Sequence, residues 1–120
     1  MSFYGAVNDA IGRANSAASQ LYGYNNYADP RSQPNAQIRN QARLTIDPTY
    51  YNIQGESRNA YWEGVPRRNV NQALQASELI REATYDLSDH PVDNPGQPAN
   101  VPLAQSHIQQ AINMLQNARW

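Results

Sequence analysis

The chain has 120 residues, a formal charge of −1, 9 basic residues that are all Arg, and no Cys. Its length suits one hydrophobic core and hardly two, so residues 1–120 are expected to form a single domain. Without Cys there are no disulfides, thiolate metal sites or Cys nucleophiles, and near-neutral charge excludes a global field that would draw the chain to nucleic acid or an anionic surface.

Three segments carry a helical period. In the first, Phe3, Val7, Ala10, Ala14, Ala17 and Leu21 recur at steps of four and three behind Ser2, a residue suited to an N-cap. This predicts a helix over about 3–22, with Asp9 and Arg13 as an i,i+4 pair and Gly23 as the stop.

Residues 23–66 differ in kind. They hold most of the tyrosines, Trp62, four Pro and three Gly, with apolar residues scattered rather than periodic. The expectation here is an irregular Tyr/Pro/Asn-rich middle segment with one or two short helices. Asn35 to Leu44 is one candidate, and Asp47-Pro48 reads as an N-cap and first helical residue for a turn through Tyr50 and Tyr51. A rival reading makes Leu44–Ile46 and Tyr50–Ile53 short strands.

Beyond Pro66, Asn69 with Gln72 resembles a capping box, and Ala73, Ala76, Ile80, Ala83 and Leu87 then repeat at three and four, predicting a helix over about 69–88. The connection Asp89–Val101 contains Pro91, Pro95 and Pro98, and such a spacing of Pro suits an ordered arm. A last helix over about 102–119 has Ala104, Ile108, Ala111, Leu115 and Ala118 on its seam and a Gln/Asn-rich outer face. Residues 67–120 should therefore fold back as an antiparallel hairpin. Two helices bury too little alone, so the first helix, or a copy from another subunit, is expected to complete the bundle. The fold class expected is mainly α, a small helical bundle.

Groups with tunable protonation are scarce: two His, no Cys and no Lys. His90 lies among Asp89, Asp93 and Pro91, a pattern that suits turns and caps better than a metal. His107 flanks the last helix's seam and should be a satisfied, half-buried side chain near the end of the helix before it. Glu56 and Glu63, seven apart, would share a helix face, but their spacing of about 10 Å exceeds what paired acid–base hydrolysis uses. They read as solvated charges. No phosphate loop, nucleophile elbow or zinc-protease pattern occurs. No catalytic residue, cofactor or metal is expected.

Binding is the better-supported class. Tyr24, Tyr27, Tyr50, Tyr51, Arg58, Tyr61 and Trp62, with amides between them, have the composition of contact surfaces: rigid amphipathic rings beside adaptable hydrogen-bonding groups. Arg without Lys suits interfaces, because the planar guanidinium makes several directed bonds and stacks on rings. Arg67-Arg68 could contact phosphate, yet a basic pair at a helix start is ordinarily a solvated junction, and nucleic acid is not the expected partner. No run of about 20 apolar residues exists to span a bilayer. The function expected is a non-catalytic structural or assembly subunit, in a coat, filament or larger complex, packing on other protein subunits, copies of itself among them. The alternative is a monomeric polysaccharide- or peptide-binding module built on the Tyr/Trp/Asn-rich segment.

Overall fold

The computed structural model describes residues 1–89 and 99–119. They form four helices: α1 (Phe3–Leu21), α2 (Gln33–Ser57), α3 (Arg67–Asp86) and α4 (Val101–Asn117), and no strand occurs among the described residues. The Pro-containing connection, with His90 and Asp93, falls mainly at 90–98, outside the described residues.

Each helix packs on its two neighbours in the cycle α1, α2, α3, α4. Bonds between helix ends fix the alternation of direction. At one end the N–H of Phe3, opening α1, donates to Glu63 Oε1 beyond α2, and Asn69 near the start of α3 donates to the Ala118 carbonyl after α4. At the other end Arg39, early in α2, donates to the Leu87 carbonyl that follows α3. The result is an up–down–up–down bundle measuring 48 × 27 × 20 Å.

The predicted apolar seams all turn inward. Ala6, Ala10, Ala14 and Ala17 of α1, Ala73, Ala76, Ile80 and Ala83 of α3, and Ala104, Ile108, Ala111 and Leu115 of α4 are fully buried, with Phe3, Leu21, Leu87 and Val101 closing the ends. Small seam residues let helix backbones approach closely, so a chain poor in Leu still fills its interior. The Ala seams are completed within the chain, by α1 and α2, with no copy required. Its accessible surface of 6807 Å² is close to the value of about 6,500 Å² that scaling gives for a compact monomer of this mass.

The middle segment corrects the sequence expectation in the extent of its helix: the candidate at Asn35–Leu44 and the turn after Pro48 are parts of one helix, the longest described, and irregular structure is confined to its two flanks. Residues 35, 39, 42, 46, 49 and 53 repeat at four and three straight through Pro48, and all six are buried. Half of that seam is polar, namely Asn35, Arg39 and Thr49, which hides the period from a hydrophobicity count. Pro48 is therefore neither the start of a separate helix nor part of a strand turn; it sits inside α2. An interior Pro removes one helix bond and costs roughly 3 kcal/mol. Side-chain donors gather on the carbonyls around it: Thr45 Oγ1 on Gln41, Thr49 Oγ1 on Ile46, and Arg13 Nη1, from α1, on Thr45. Burial of Ala42, Ile46 and Ile53 on both sides of the Pro holds the two halves in line.

The start of α3 is also corrected. It begins at Arg67, two residues before the expected cap, and Asn69 is a buried crosslink rather than a cap. Its Nδ2 donates to the Ala118 carbonyl and the Tyr4 hydroxyl, both at 3.2 Å. Ser2 and Asn100 do cap α1 and α4, accepting from Gly5 N and Leu103 N.

Candidate functional site

The expected contact residues do not share one surface. Tyr24 and Tyr27 lie in the α1–α2 connection, Tyr50 and Tyr51 midway along α2, and Arg58, Tyr61 and Trp62 in the α2–α3 turn. The first and last groups are separated by α2, about 37 Å long. Tyr24 is half-buried and Tyr27 fully exposed. Tyr50 is engaged within the fold: Arg81 stands 5.4 Å over its ring and donates to its hydroxyl at 3.2 Å. Tyr51 meets Tyr50 edge-on and is otherwise exposed.

The α2–α3 turn is built to hold its aromatic pair outward. Overlapping turn bonds run Trp62 N to Asn59 O, Glu63 N to Ala60 O and Gly64 N to Tyr61 O, and Val65 N returns to Ala60 O. Gly64 takes φ 75°, where a side chain would be strained, and this lets the chain reverse. Ala60 and Val65 are buried and anchor the turn to the core. Glu63, expected on a helix face, instead accepts the Phe3 N–H at 3.0 Å and places a carboxylate at the positive end of α1.

Between these anchors Tyr61 and Trp62 point away from the bundle, 81% and 83% exposed, their rings edge to face at 5.3 Å. Beside Tyr61 runs a surface groove of about 490 Å³ lined by Ser57, Tyr61, Val65, Arg67, Val70 and Asn71. The Ser57 Oγ is buried and has no hydrogen-bond partner among the described residues.

Three arginines surround the pair. Arg58 caps α2, Arg67 and Arg68 form the first turn of α3, and all three are exposed. None makes an ion pair among the described residues, in contrast to Arg13 with Asp9 at 2.9 Å and Arg39 with Asp89 at 3.6 Å. Arg67 and Arg68 also stand at the positive end of the α3 dipole, with no acidic residue in that turn. Cations there are unfavourable by typically 0.3–1 kcal/mol each. Folding gains nothing from the charge of these two, whereas Arg58, at the C-cap of α2, stands at a negative helix end that favours it.

Comparison with protein-family models, curated proteins and solved structures finds no match.

The opposite end is polar but closed. Arg39, 3% exposed, donates through Nε and Nη2 to the Pro30 carbonyl and through Nη1 to that of Leu87. Asn35 clamps the α1–α2 connection, donating to the Asn25 and Asp29 carbonyls and accepting the Asn25 N–H. Against this plug lies Tyr24, whose phenol is pushed above its ordinary value of 10.0 by burial, with the Arg39 guanidinium opposing the shift.

His107 takes the half-buried place that the hairpin implies, against the end of α3. Its Nδ1 is 2.6 Å from Asp86 Oδ2 and its Nε2 3.3 Å from Glu82 Oε2. Both acidic partners belong to α3, so the ring ties α4 to the end of that helix. No group of three or more metal-ligating side chains suited to an ion occurs among the described residues, and no described helix is long and apolar enough to cross a membrane.

Sequence reading named Arg58, Tyr61 and Trp62 but set Arg67-Arg68 aside as a junction. The turn geometry joins the two sets. Asn35, Arg39 and Asn69 went unrecognised as clamps, because a lone polar residue gives no sign of burial until its seam is known.

Proposed function

We propose that the protein is a non-catalytic assembly subunit that docks on other protein through the Trp62 end of its bundle. The observation that carries this reading is the Tyr61–Trp62 pair, held outward by an anchored turn beside three arginines that make no ion pair among the described residues. Trp, Tyr and Arg are the residue types that dominate binding energy at protein interfaces. An anchored turn also presents them with little ordering cost on association.

The ends of the bundle are small. Its cross-section of 27 × 20 Å offers on the order of 400 Å² to a flat contact, below what a stable interface needs from each partner. The docking surface therefore extends beyond the tip into the groove along Val65, Arg67 and Val70. A blunt end-to-end stack of copies fits the dimensions less well than a partner element laid into that groove.

A photo-crosslinking residue at position 62, compared with one at position 51 in the source cell, tests the reading, together with sedimentation of the purified protein across concentration. Discrete crosslinked species from 62 and not from 51 are expected. A chain that sediments as a monomer throughout and yields no crosslink from 62 overturns it.

The groove beside Tyr61 favours one second reading, a monomeric polysaccharide-binding module, since sugars stack on exposed rings and bond to amides such as Asn71. A glycan array with Trp62→Ala as control separates the two readings. Binding that disappears in the variant supports the module.

A further inference from the structure

We infer that the partner of the Trp62 end is an acidic peptide segment, with an apolar side chain seated in the Tyr61 groove and carboxylates on Arg58, Arg67 and Arg68. This rests on the docking reading above and names the chemistry of its occupant.

The charge argument comes first. Arg13, Arg39 and Arg81 are each matched within the fold, to Asp9, to backbone carbonyls and Asp89, and to Tyr50. Arg58, Arg67 and Arg68 are exposed and, like Arg31 and Arg43 elsewhere, make no ion pair among the described residues; what sets these three apart is that they gather at one turn, two of them where the helix dipole disfavours a cation. Residues that break a local rule without any return to stability are expected at functional sites. Anions are what a positive helix end flanked by guanidiniums binds, and carboxylates match the guanidinium fork two bonds at a time.

The groove decides between anions. Its lining is largely apolar, with Val65, Val70 and the Tyr61 ring beside Arg67 and Asn71. That lining takes an aliphatic or aromatic side chain, as an extended peptide supplies. A nucleic-acid strand would bring a phosphate at every residue into an end that also carries Glu56 and Glu63, whereas a peptide places its carboxylates only where the arginines stand.

The test uses the full chain and two fluorescein-labelled probes: a short peptide alternating Leu and Phe with Asp and Glu, and its counterpart with Asn and Gln. Anisotropy is read beside Trp62 emission, and labelled oligothymidylate serves as a third probe. The acidic peptide should bind at least tenfold more tightly than the amide peptide and weaken as salt is raised. Arg67→Gln with Arg68→Gln, or Arg58→Gln alone, should lower that preference, and Trp62→Ala should weaken the peptide at least tenfold. Circular dichroism confirms that these exposed changes leave the fold intact.

Equal binding of the two peptides, no binding of either, or preference for oligothymidylate overturns the inference. If crosslinks from position 62 persist in that case, the docking reading stands and only the acidic chemistry falls. If they are absent as well, both fall.

Discussion

The two ends of this bundle use the same residue types to opposite effect. At one end Arg39 is sunk beneath the α1–α2 connection with its donors on the Pro30 and Leu87 carbonyls, and Tyr24 packs against it. At the other, Arg58, Arg67 and Arg68 stand in solvent with no carboxylate paired to them among the described residues, beside two rings that bury almost nothing. Arg39 lies on a helix seam, so the protein itself must satisfy every donor it buries. The three exposed arginines lie off the seams, where water satisfies them until something better arrives. The Arg39 end buries a polar plug beneath the exposed Tyr22, Tyr27 and Arg31, whereas the Trp62 end gathers its exposed rings and arginines on one anchored turn.

The sharpest way to break that contrast is Arg39→Ala. It leaves the Pro30 and Leu87 carbonyls without their donor and Asp89 without its ion-pair partner, and should cost about 3 kcal/mol or more in urea unfolding. A loss below about 1 kcal/mol would mean that this end is not a plug. Asn69→Ala should cost about 1–3 kcal/mol, because the buried Ala118 carbonyl loses its side-chain donor where α3 meets α4. A loss in that range would show that the interior of the Trp62 end is closed like that of the Arg39 end, and a loss near zero would show that it is not.

On the outer turn the sign reverses. Arg67→Glu with Arg68→Glu places anions at the positive end of α3 and should raise stability by roughly 0.5–1 kcal/mol while abolishing capture of the acidic peptide. Destabilisation by the pair would show that the arginines serve the fold.

The smallest effect is Tyr24's. Its raised value means that the folded state holds the phenolic proton more tightly than the unfolded chain does. The stability tied to that proton is complete below pH 10 and is lost as pH rises through the folded value. Ultraviolet titration should show one late phenol that disappears in Tyr24→Phe.

Much of the fold was legible in the residues. Ala10, Ala14 and Ala17, like Ala104, Ile108 and Ala111, recur with the period of a helix face, and nothing but burial on one side explains such spacing. Ser2 before Phe3 marked the start of α1 for the same local reason, a hydroxyl placed to accept from the first turn. The longest helix was legible only in pieces, as a short helix at Asn35–Leu44 and a turn of helix after Pro48. Asn35, Arg39 and Thr49 occupy its seam and Pro48 interrupts it, so nothing local joined the pieces that packing on both flanking helices holds as one.

The candidate site divided in the same way. Exposed aromatic chemistry could be read from Tyr61 and Trp62, but its partition among three places could not. The joining of Arg58 to Arg67 and Arg68 depends on a turn closed by Gly64 and anchored by Ala60 and Val65. By itself the sequence determined the helix-forming stretches, the small-residue seams and the absence of thiol chemistry, because these follow from periodicity and composition. Only the tertiary structure decided which polar residues lie inside and which arginines stand unpaired, because burial and pairing depend on partners far away in the chain.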